Sequence, residues 1–191
     1  MPPVSFDILI YVKRVLSLDA STTTVGIAVL DYDDKNITLY HNDFYKPNKD
    51  VNQLIMLKEA KLFVKDLIKT FNPDDFAIEE YIKFMKGNSA AATTIPLAIF
   101  NRTLCLAAYE EMNKLPEIIS VMTIRSKIKL DKQIPKKEEV PEIVAKHLNI
   151  NFPYRTKLLK NGKEKVIAEN SDIADSIAVG LAFIFRNRIK K

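Results

Sequence analysis

The chain has 191 residues, of which 47% are hydrophobic and 28% charged, and its formal net charge is +5. This composition is typical of one globular domain, which we expect to span residues 1–191, and it argues against long disordered stretches. A single cysteine excludes a disulfide framework and favours a reducing compartment, cytoplasmic or nuclear. The apolar run near the N-terminus is too short for a secretion signal or a membrane span.

Three strands open the predicted fold, after an N-terminal extension over residues 1–14. Apolar and β-branched residues fill 14–21 and 23–32, and residues 36–45 alternate as a third strand should. Residues 50–71 then show apolar residues near helical spacing, with Asp50 as the expected N-cap. We therefore predict an antiparallel meander followed by one amphipathic helix.

The rest of the chain alternates short strands with helices. We predict a strand over 75–81, a helix over 89–114, a strand over 117–124, a helix over 135–149, a small basic hairpin over 154–167 with Asn161-Gly162 as its two-residue turn, and a final helix over 171–191. The order is βββαβαβαα with one extra hairpin. This alternation indicates an α/β fold.

Basic residues are concentrated in one segment. Between Arg125 and Lys165 the chain has twelve lysines and arginines against five acidic residues. Such a segment on a nearly neutral body favours a polyanionic partner, nucleic acid first, although a solvated lysine-rich surface has the same composition. Arg155 and Lys157, in the predicted hairpin, are candidate contacts to DNA.

Four acidic side chains are predicted to meet at one edge of the sheet. Asp19 ends the first strand and Glu79 ends the fourth, so both emerge at the same edge if those strands are parallel neighbours. Asp172 and Asp175 are three residues apart, which places them on one face of the final helix. Carboxylates gathered there repel each other unless divalent cations neutralise them, and all-oxygen ligands suit Mg²⁺ or Mn²⁺.

Each of these acids also has a simpler interpretation. Asp19 precedes serine and threonine, as in ordinary turns, and Asp172 lies where an acid favours a helix N-terminus. Glu79 and Glu80 stay alternatives for the site, because only one of two successive strand residues faces it.

Three motifs carry a resemblance to a known superfamily. LSLDASTTTVGIAVLD (16–31), FAIEEY (76–81) and SDIADSIAVGLA (171–182), in this order, resemble the ribonuclease H-like nucleases, and more specifically the RuvC-type Holliday junction resolvases with their phage and poxvirus branches. The resemblance runs from Val15 to the final helix. It implies a ribonuclease H-like fold with a five-stranded mixed sheet flanked by helices, and a homodimer in which each subunit nicks one strand of a four-way DNA junction.

The resemblance also implies roles for individual residues. It makes Asp19, Glu79, Asp172 and Asp175 the metal-binding and catalytic acids, with two ions per site. The helix over 89–114 would form the dimer interface, and the preceding loop would bring an aromatic residue, Phe84 or else Tyr81, to the junction bases. The basic residues expected near the site are Arg125, Lys127, Lys136 and Lys137, of which the last two are also candidate catalytic residues.

The predicted reaction is in-line phosphodiester hydrolysis by an endonuclease that processes recombination or replication intermediates. Two Mg²⁺ ions, or Mn²⁺, would activate water and stabilise the leaving 3′ oxygen. We expect neither a membrane partner nor a small-molecule substrate.

Three other functions stay open at this point. A related nuclease could act on RNA–DNA hybrid or other branched DNA with the same acids. The segment DASTTTVG (19–26) is also similar to the first phosphate loop of actin- and sugar-kinase-like ATPases, although these need a second such domain. A non-catalytic junction-binding protein is the third alternative.

Overall fold

The computed structural model describes residues 11–81, 90–160 and 162–188. The elements in chain order are β1 (Lys13–Ala20), β2 (Val25–Tyr32), β3 (Ile37–Tyr45), α1 (Gln53–Phe71), β4 (Asp75–Glu79), α2 (Ala90–Met112), β5 (Glu117–Ile119), α3 (Val121–Ile128), α4 (Val140–Leu148), β6 (Thr156–Leu158), β7 (Glu164–Val166) and α5 (Asn170–Arg188). A 3₁₀ turn, Lys137–Glu139, leads into α4.

Five strands form one mixed sheet in the order β3-β2-β1-β4-β5. β1 pairs antiparallel with β2 and parallel with β4, and the register sets Leu18 beside Ile78. β3 completes the antiparallel meander, and β5 runs parallel to β4. The five-stranded mixed sheet that the resemblance implies is therefore confirmed, and the condition that the first and fourth strands are parallel neighbours at its centre is met.

Helices cover both faces of the sheet because the central strands bury side chains on both sides. Val15 and Ala77 belong to the core under α3, α4 and α5, whereas Leu16 and Ile78 belong to the core under α1 and α2. Successive strand residues point to opposite faces, so this alternation fixes which side chains reach α5. The hydroxyl of Ser17 donates a buried hydrogen bond of 2.9 Å to the carbonyl of Ser176, which ties β1 to α5.

The strand predicted over 117–124 is wrong in its second half. β5 ends at Ile119, and the Ser120 side chain accepts a hydrogen bond from the Thr123 amide and starts α3. Valine and isoleucine favour strands, but a serine N-cap and the burial of Ile124 and Ile128 against the core stabilise the helix here.

Two helix starts also differ from the predictions. Asn52, not Asp50, caps α1, because its side chain accepts the Leu54 amide hydrogen bond. The helix predicted from residue 135 begins at Val140 instead, where a proline occupies the first turn. β1 begins at Lys13, inside the segment predicted as an extension.

The predicted basic hairpin is present, but its turn is longer than two residues. β6 ends at Leu158 and β7 starts at Glu164, with Leu159 donating a 2.8 Å hydrogen bond to the Lys163 carbonyl. Gly162 has a positive φ of 76°, which glycine adopts without strain. Asn161 of the predicted turn lies outside the described residues.

α2 is the longest described helix, with 23 residues and Pro96 inside its first two turns. Its segment Ala91–Met112 is long and apolar enough to cross a membrane by length and composition alone, the one such helix among the described residues. Its buried side chains, among them Phe100 and Leu104, pack in the core with α1, as in the core helix of a globular domain.

Candidate metal centre

The first two acids of the candidate site come from the central parallel strands. Asp19 lies two residues after Ser17, which faces α5, and Glu79 lies two residues after Ala77, which faces the same side. Strand alternation therefore directs both carboxylates toward α5. Because β1 and β4 are parallel neighbours, the two acids emerge at one edge of the sheet, and the register selects Glu79 over Glu80.

The N-terminal turn of α5 brings the other two acids to this edge. Gly26 is the β2 partner of Asp19, and the carbonyl of Asp172 lies directly over it. A Cβ atom at Gly26 would be only 1.9 Å from that carbonyl oxygen. The absence of a side chain at this position lets α5 approach the sheet closely enough to set Asp172 and Asp175 above Asp19.

Burial raises the pKa of all four acids, and repulsion by neighbouring carboxylates adds to it for Asp19, Glu79 and Asp172. Burial is the main cause for Asp19, whose pKa is well above its usual range, and the charges of Glu79, Asp175 and Asp172 raise it further. Burial and the charge of Asp175 raise the pKa of Glu79 to about 7. The pKa values of Asp172 and Asp175 are raised chiefly by burial, in each case against the opposing effect of Lys137.

Lys137 forms an ion pair with one of these carboxylates. Its Nζ lies 3.3 Å from Asp175 Oδ2, and its charge also acts on Asp19 and Asp172. Burial, the largest single effect, would lower the pKa of Lys137, but the attractions of Asp175, Asp19 and Asp172 together outweigh it, so the pKa is raised and the ammonium stays charged. One ammonium group thus compensates part of the negative charge of four acids.

Arg125 supports the segment that carries Lys137. Its guanidinium donates a 3.0 Å hydrogen bond to the Pro135 carbonyl, two residues before Lys137. The same positive charge lowers the pKa of Glu79 and of Asp175, so Arg125 lies near the acids as well. Arg125 therefore holds the segment before Lys137 in place and also supplies positive charge near the acids.

Asn101 of α2 is a site residue that our sequence analysis missed. It is fully buried, and its side-chain amide donates a 2.9 Å hydrogen bond to the Glu79 carbonyl. This contact fixes the end of β4 from the opposite face of the sheet. The available signal was a single asparagine within an otherwise apolar helical pattern.

The donor set fits a hard divalent cation. Four carboxylates supply only oxygen ligands, which suit Mg²⁺ and Mn²⁺ better than softer metals. Among the described residues, no three acidic, histidine or cysteine side chains already form a closed cluster around one point. The raised pKa values indicate buried negative charges that Lys137 compensates only in part, and a bound cation would neutralise these charges further.

The other predicted DNA contacts differ in burial and in the groups that they contact. Tyr81 follows β4, and its ring centroid is 5.3 Å from the Arg102 guanidinium carbon. Lys127 is half-buried on α3, while Lys136 and Lys157 are exposed. Arg155 donates to Asp43 at 2.6 Å and so anchors the hairpin. Phe84 lies outside the described residues, and the roles assigned to all these residues stay predictions.

A large cavity lies at the opposite edge of the sheet from the acids. Its volume is about 870 Å³, and its lining includes Lys13, Lys35, Phe76 and Phe183. None of the predicted site residues that the structure describes lines it. The size of a cavity alone would therefore not identify the four acids whose pKa values are raised.

Comparison with solved structures places this arrangement in a known fold. Thermus thermophilus RuvC matches with a TM-score of 0.69 at 19% identity, over 93% of this chain and 96% of that one. A complex of the same protein with a Holliday junction substrate matches with a TM-score of 0.66 at 20% identity, over 92% and 96% of the two chains. The yeast mitochondrial Holliday junction resolvase Ydc2 matches with a TM-score of 0.64 at 16% identity, over 96% and 83%.

No protein-family model matches this chain, and no curated protein matches it. The likeness to RuvC covers 93% of this chain and the likeness to Ydc2 covers 96%. Because it extends over nearly the whole chain, it reflects a shared fold and not only a shared local motif. The chain therefore has the ribonuclease H-like α/β fold of RuvC, as its sequence motifs predicted.

Proposed function

We propose that this chain is a Holliday junction resolvase, a divalent-metal-dependent endonuclease that makes paired symmetric nicks in four-way DNA junctions. The observation that carries the proposal is the gathering of Asp19, Glu79, Asp172 and Asp175 at one edge of a RuvC fold. RuvC of Thermus thermophilus has been solved with a Holliday junction substrate, which supports the same substrate class for this chain.

The four carboxylates would hold two Mg²⁺ ions. Such ions, when bound, activate a water molecule for in-line attack and neutralise the charge that develops on the leaving 3′ oxygen. The chain's own contribution is to keep the four acids in place through β1, β4 and α5. The Asn101 amide and the close packing at Gly26 limit how far two of these elements can move.

Lys137 would have a second role when substrate arrives. Its ammonium is paired with Asp175 and stays protonated, so it can turn to a phosphate oxygen as cations occupy the acids. Arg125 holds the Pro135 carbonyl and would keep the lysine within reach of both groups. Together they position and neutralise a phosphate and leave proton transfer to water.

Homodimerisation is supported by an apolar stripe on α2. Ile95, Ile99, Leu106 and Tyr109 follow helical spacing and are between 44% and 57% exposed. A helix that buries one apolar face in its own core and exposes a second has a surface suited to a partner. A second copy of the chain on this stripe would give the two active sites that symmetric nicking needs.

The alternatives gain less support from these observations. An actin- or sugar-kinase-like ATPase needs a second domain, whereas the match to RuvC covers 93% of this chain. A non-catalytic junction binder would not need four acids held at raised pKa by burial. Nucleases for RNA–DNA hybrid share the acids, so the choice of substrate requires an experiment.

The deciding experiment is a cleavage assay in Mg²⁺ on an end-labelled four-way junction, beside a linear duplex and an RNA–DNA hybrid of matching sequence. We expect paired nicks at symmetric positions in the junction alone, and no cleavage by Asp19→Asn. Cleavage of hybrid or duplex in preference to the junction would refute the proposed substrate. Binding without cleavage in both Mg²⁺ and Mn²⁺ would refute the proposed enzyme.

A further inference from the structure

The hairpin formed by β6 and β7 presents two lysines side by side. In its register Lys157 lies directly opposite Lys165, so both side chains share one face of the hairpin. Thr156, Leu158, Glu164 and Val166 occupy the other face, where the Thr156 hydroxyl donates to the Glu164 carboxylate at 3.1 Å. The two faces therefore differ in charge, and we call the first the lysine face.

Neither lysine of this face forms an ion pair with another described residue, and both are exposed. Like charges directly opposite each other destabilise a strand pair. The pairing of Lys157 with Lys165 therefore lowers the stability of the isolated protein. This cost is explained if an external anion binds to the two lysines.

The hairpin is also fixed firmly to the start of α5. Asn170, which is buried, accepts a hydrogen bond from the Arg155 amide and donates one to the Arg155 carbonyl, both at 2.9 Å. The Arg155 guanidinium reaches across to β3, donating to Asp43 at 2.6 Å and to the Asn42 carbonyl at 2.7 Å. A hairpin held by these bonds keeps a defined position relative to the acids.

The hairpin that carries the lysine face is bonded to Asn170, at the start of the helix that carries Asp172 and Asp175. Lys157 is close enough to Glu169 for its charge to help lower the pKa of that carboxyl, after the hydrogen bond from Lys46 as the main cause. Glu169 immediately precedes α5, whose first turn carries Asp172. The hairpin and the acids of α5 therefore lie near each other, so that DNA bound at the acids would pass close to the lysine face.

We propose that the lysine face, Lys157 with Lys165, binds the phosphate backbone of the duplex arm that adjoins the cleaved strand. This inference rests on the proposed function, since it assumes DNA at the acids. Two ammonium groups on a fixed hairpin contact phosphates without reading base sequence. The partner is the backbone of double-stranded DNA, which matches the face in charge and lies next to the site.

The test is the salt dependence of DNA binding without metal, measured on a four-way junction and on a linear duplex. Each phosphate contact contributes about 0.9 to the slope of log K against log salt concentration. We expect Lys157→Gln with Lys165→Gln to reduce the slope by about 1 to 2 and to weaken binding at about 0.1 M salt by up to roughly 60-fold. Lys157→Arg with Lys165→Arg should retain both.

A matched control removes the same charge elsewhere. Lys13→Gln with Lys35→Gln alters two exposed lysines at the opposite edge of the sheet, and its slope should equal that of the wild type. Equal slopes for all variants, or equal losses in both glutamine pairs, would overturn the hairpin proposal. Thermal melting of each variant confirms that it is folded.

Cleavage of the junction by the wild type separates the two hypotheses. A wild type that cleaves junctions while all salt slopes are equal refutes the lysine face alone. A wild type that cleaves no junction, but loses salt dependence on duplex in the Lys157 and Lys165 variant, refutes the resolvase and retains the DNA-binding hairpin.

Discussion

Replacing Gly26 with alanine should disable the candidate site while leaving the sheet intact. The new Cβ atom would be 1.9 Å from the Asp172 carbonyl oxygen and 2.4 Å from its carbonyl carbon. To reach an ordinary contact of 3.4 Å, the start of α5 must move away by about 1.5 Å. The obstacle is backbone, so no side-chain rotation can relieve it.

This displacement carries Asp172 and Asp175 away from Asp19 and Glu79. A misplacement of about 1 Å in a catalytic arrangement can lower the rate about 100-fold. Overpacking of this kind also costs about 1 to 3 kcal/mol of stability. We therefore expect junction cleavage per folded molecule to fall by about two orders of magnitude, with junction binding nearly unchanged.

Gly180→Ala is the matched control for this experiment. A Cβ atom there would meet the Leu30 Cδ1 atom at 2.5 Å and the Ser17 hydroxyl at 2.7 Å, at a contact between α5 and the sheet farther along the helix. It should lower the melting temperature without a specific loss of cleavage. Wild-type cleavage by the Gly26 variant, or parallel losses in both variants, would refute this account of the site.

Three further predictions concern the acids and the dimer. Asp19→Asn should abolish cleavage and preserve or improve junction binding, because it removes a metal ligand and a negative charge; retained cleavage would show that the acid is misassigned. The raised pKa of Glu79, about 7, means that its contribution to the stability of the metal-free protein is full below the unfolded pKa near 4.5 and is lost as pH rises through about 7. Melting temperature in EDTA should therefore fall from pH 5 to pH 8, approximately, Mg²⁺ should raise it most at the upper end, and Glu79→Gln should flatten both effects; a pH-independent response to Mg²⁺ would contradict this. Leu106→Glu should convert a dimer to a monomer in light scattering after size-exclusion chromatography, whereas Leu115→Glu, at a residue 81% exposed beyond the end of α2, should not; a dimer in both variants would remove α2 from the interface.

The sheet and the convergence of its acids could be predicted because each depends on local patterns. Asp19 and Glu79 end apolar runs, and only parallel neighbouring strands were needed to bring them together. The helix α3 could not be predicted in the same way. Its valine and isoleucine residues favour a strand, and the deciding contacts are made by Ile124 and Ile128 with residues distant in sequence.

The details of the site depend on packing that the sequence does not display. The choice of Lys137 over Lys136 is made by the short 3₁₀ turn, which directs only one of two adjacent lysines to Asp175. Gly26 is one of only four glycines, yet its role becomes visible only when α5 lies over β2. Asn101 likewise acts on β4 from a helix that is distant in sequence.

The bond from Ser17 to Ser176 also bears on how such a protein is made. It joins residues 159 positions apart, and it ties the strand that carries Asp19 to the helix that carries Asp172 and Asp175. While a ribosome is still synthesising the chain, α5 does not yet exist. β1 then has no helix to pack against, so the four acids cannot assemble. A nascent or prematurely terminated chain that lacks α5 therefore cannot form the four-acid site, and the proposed nuclease activity requires a chain synthesised through this helix.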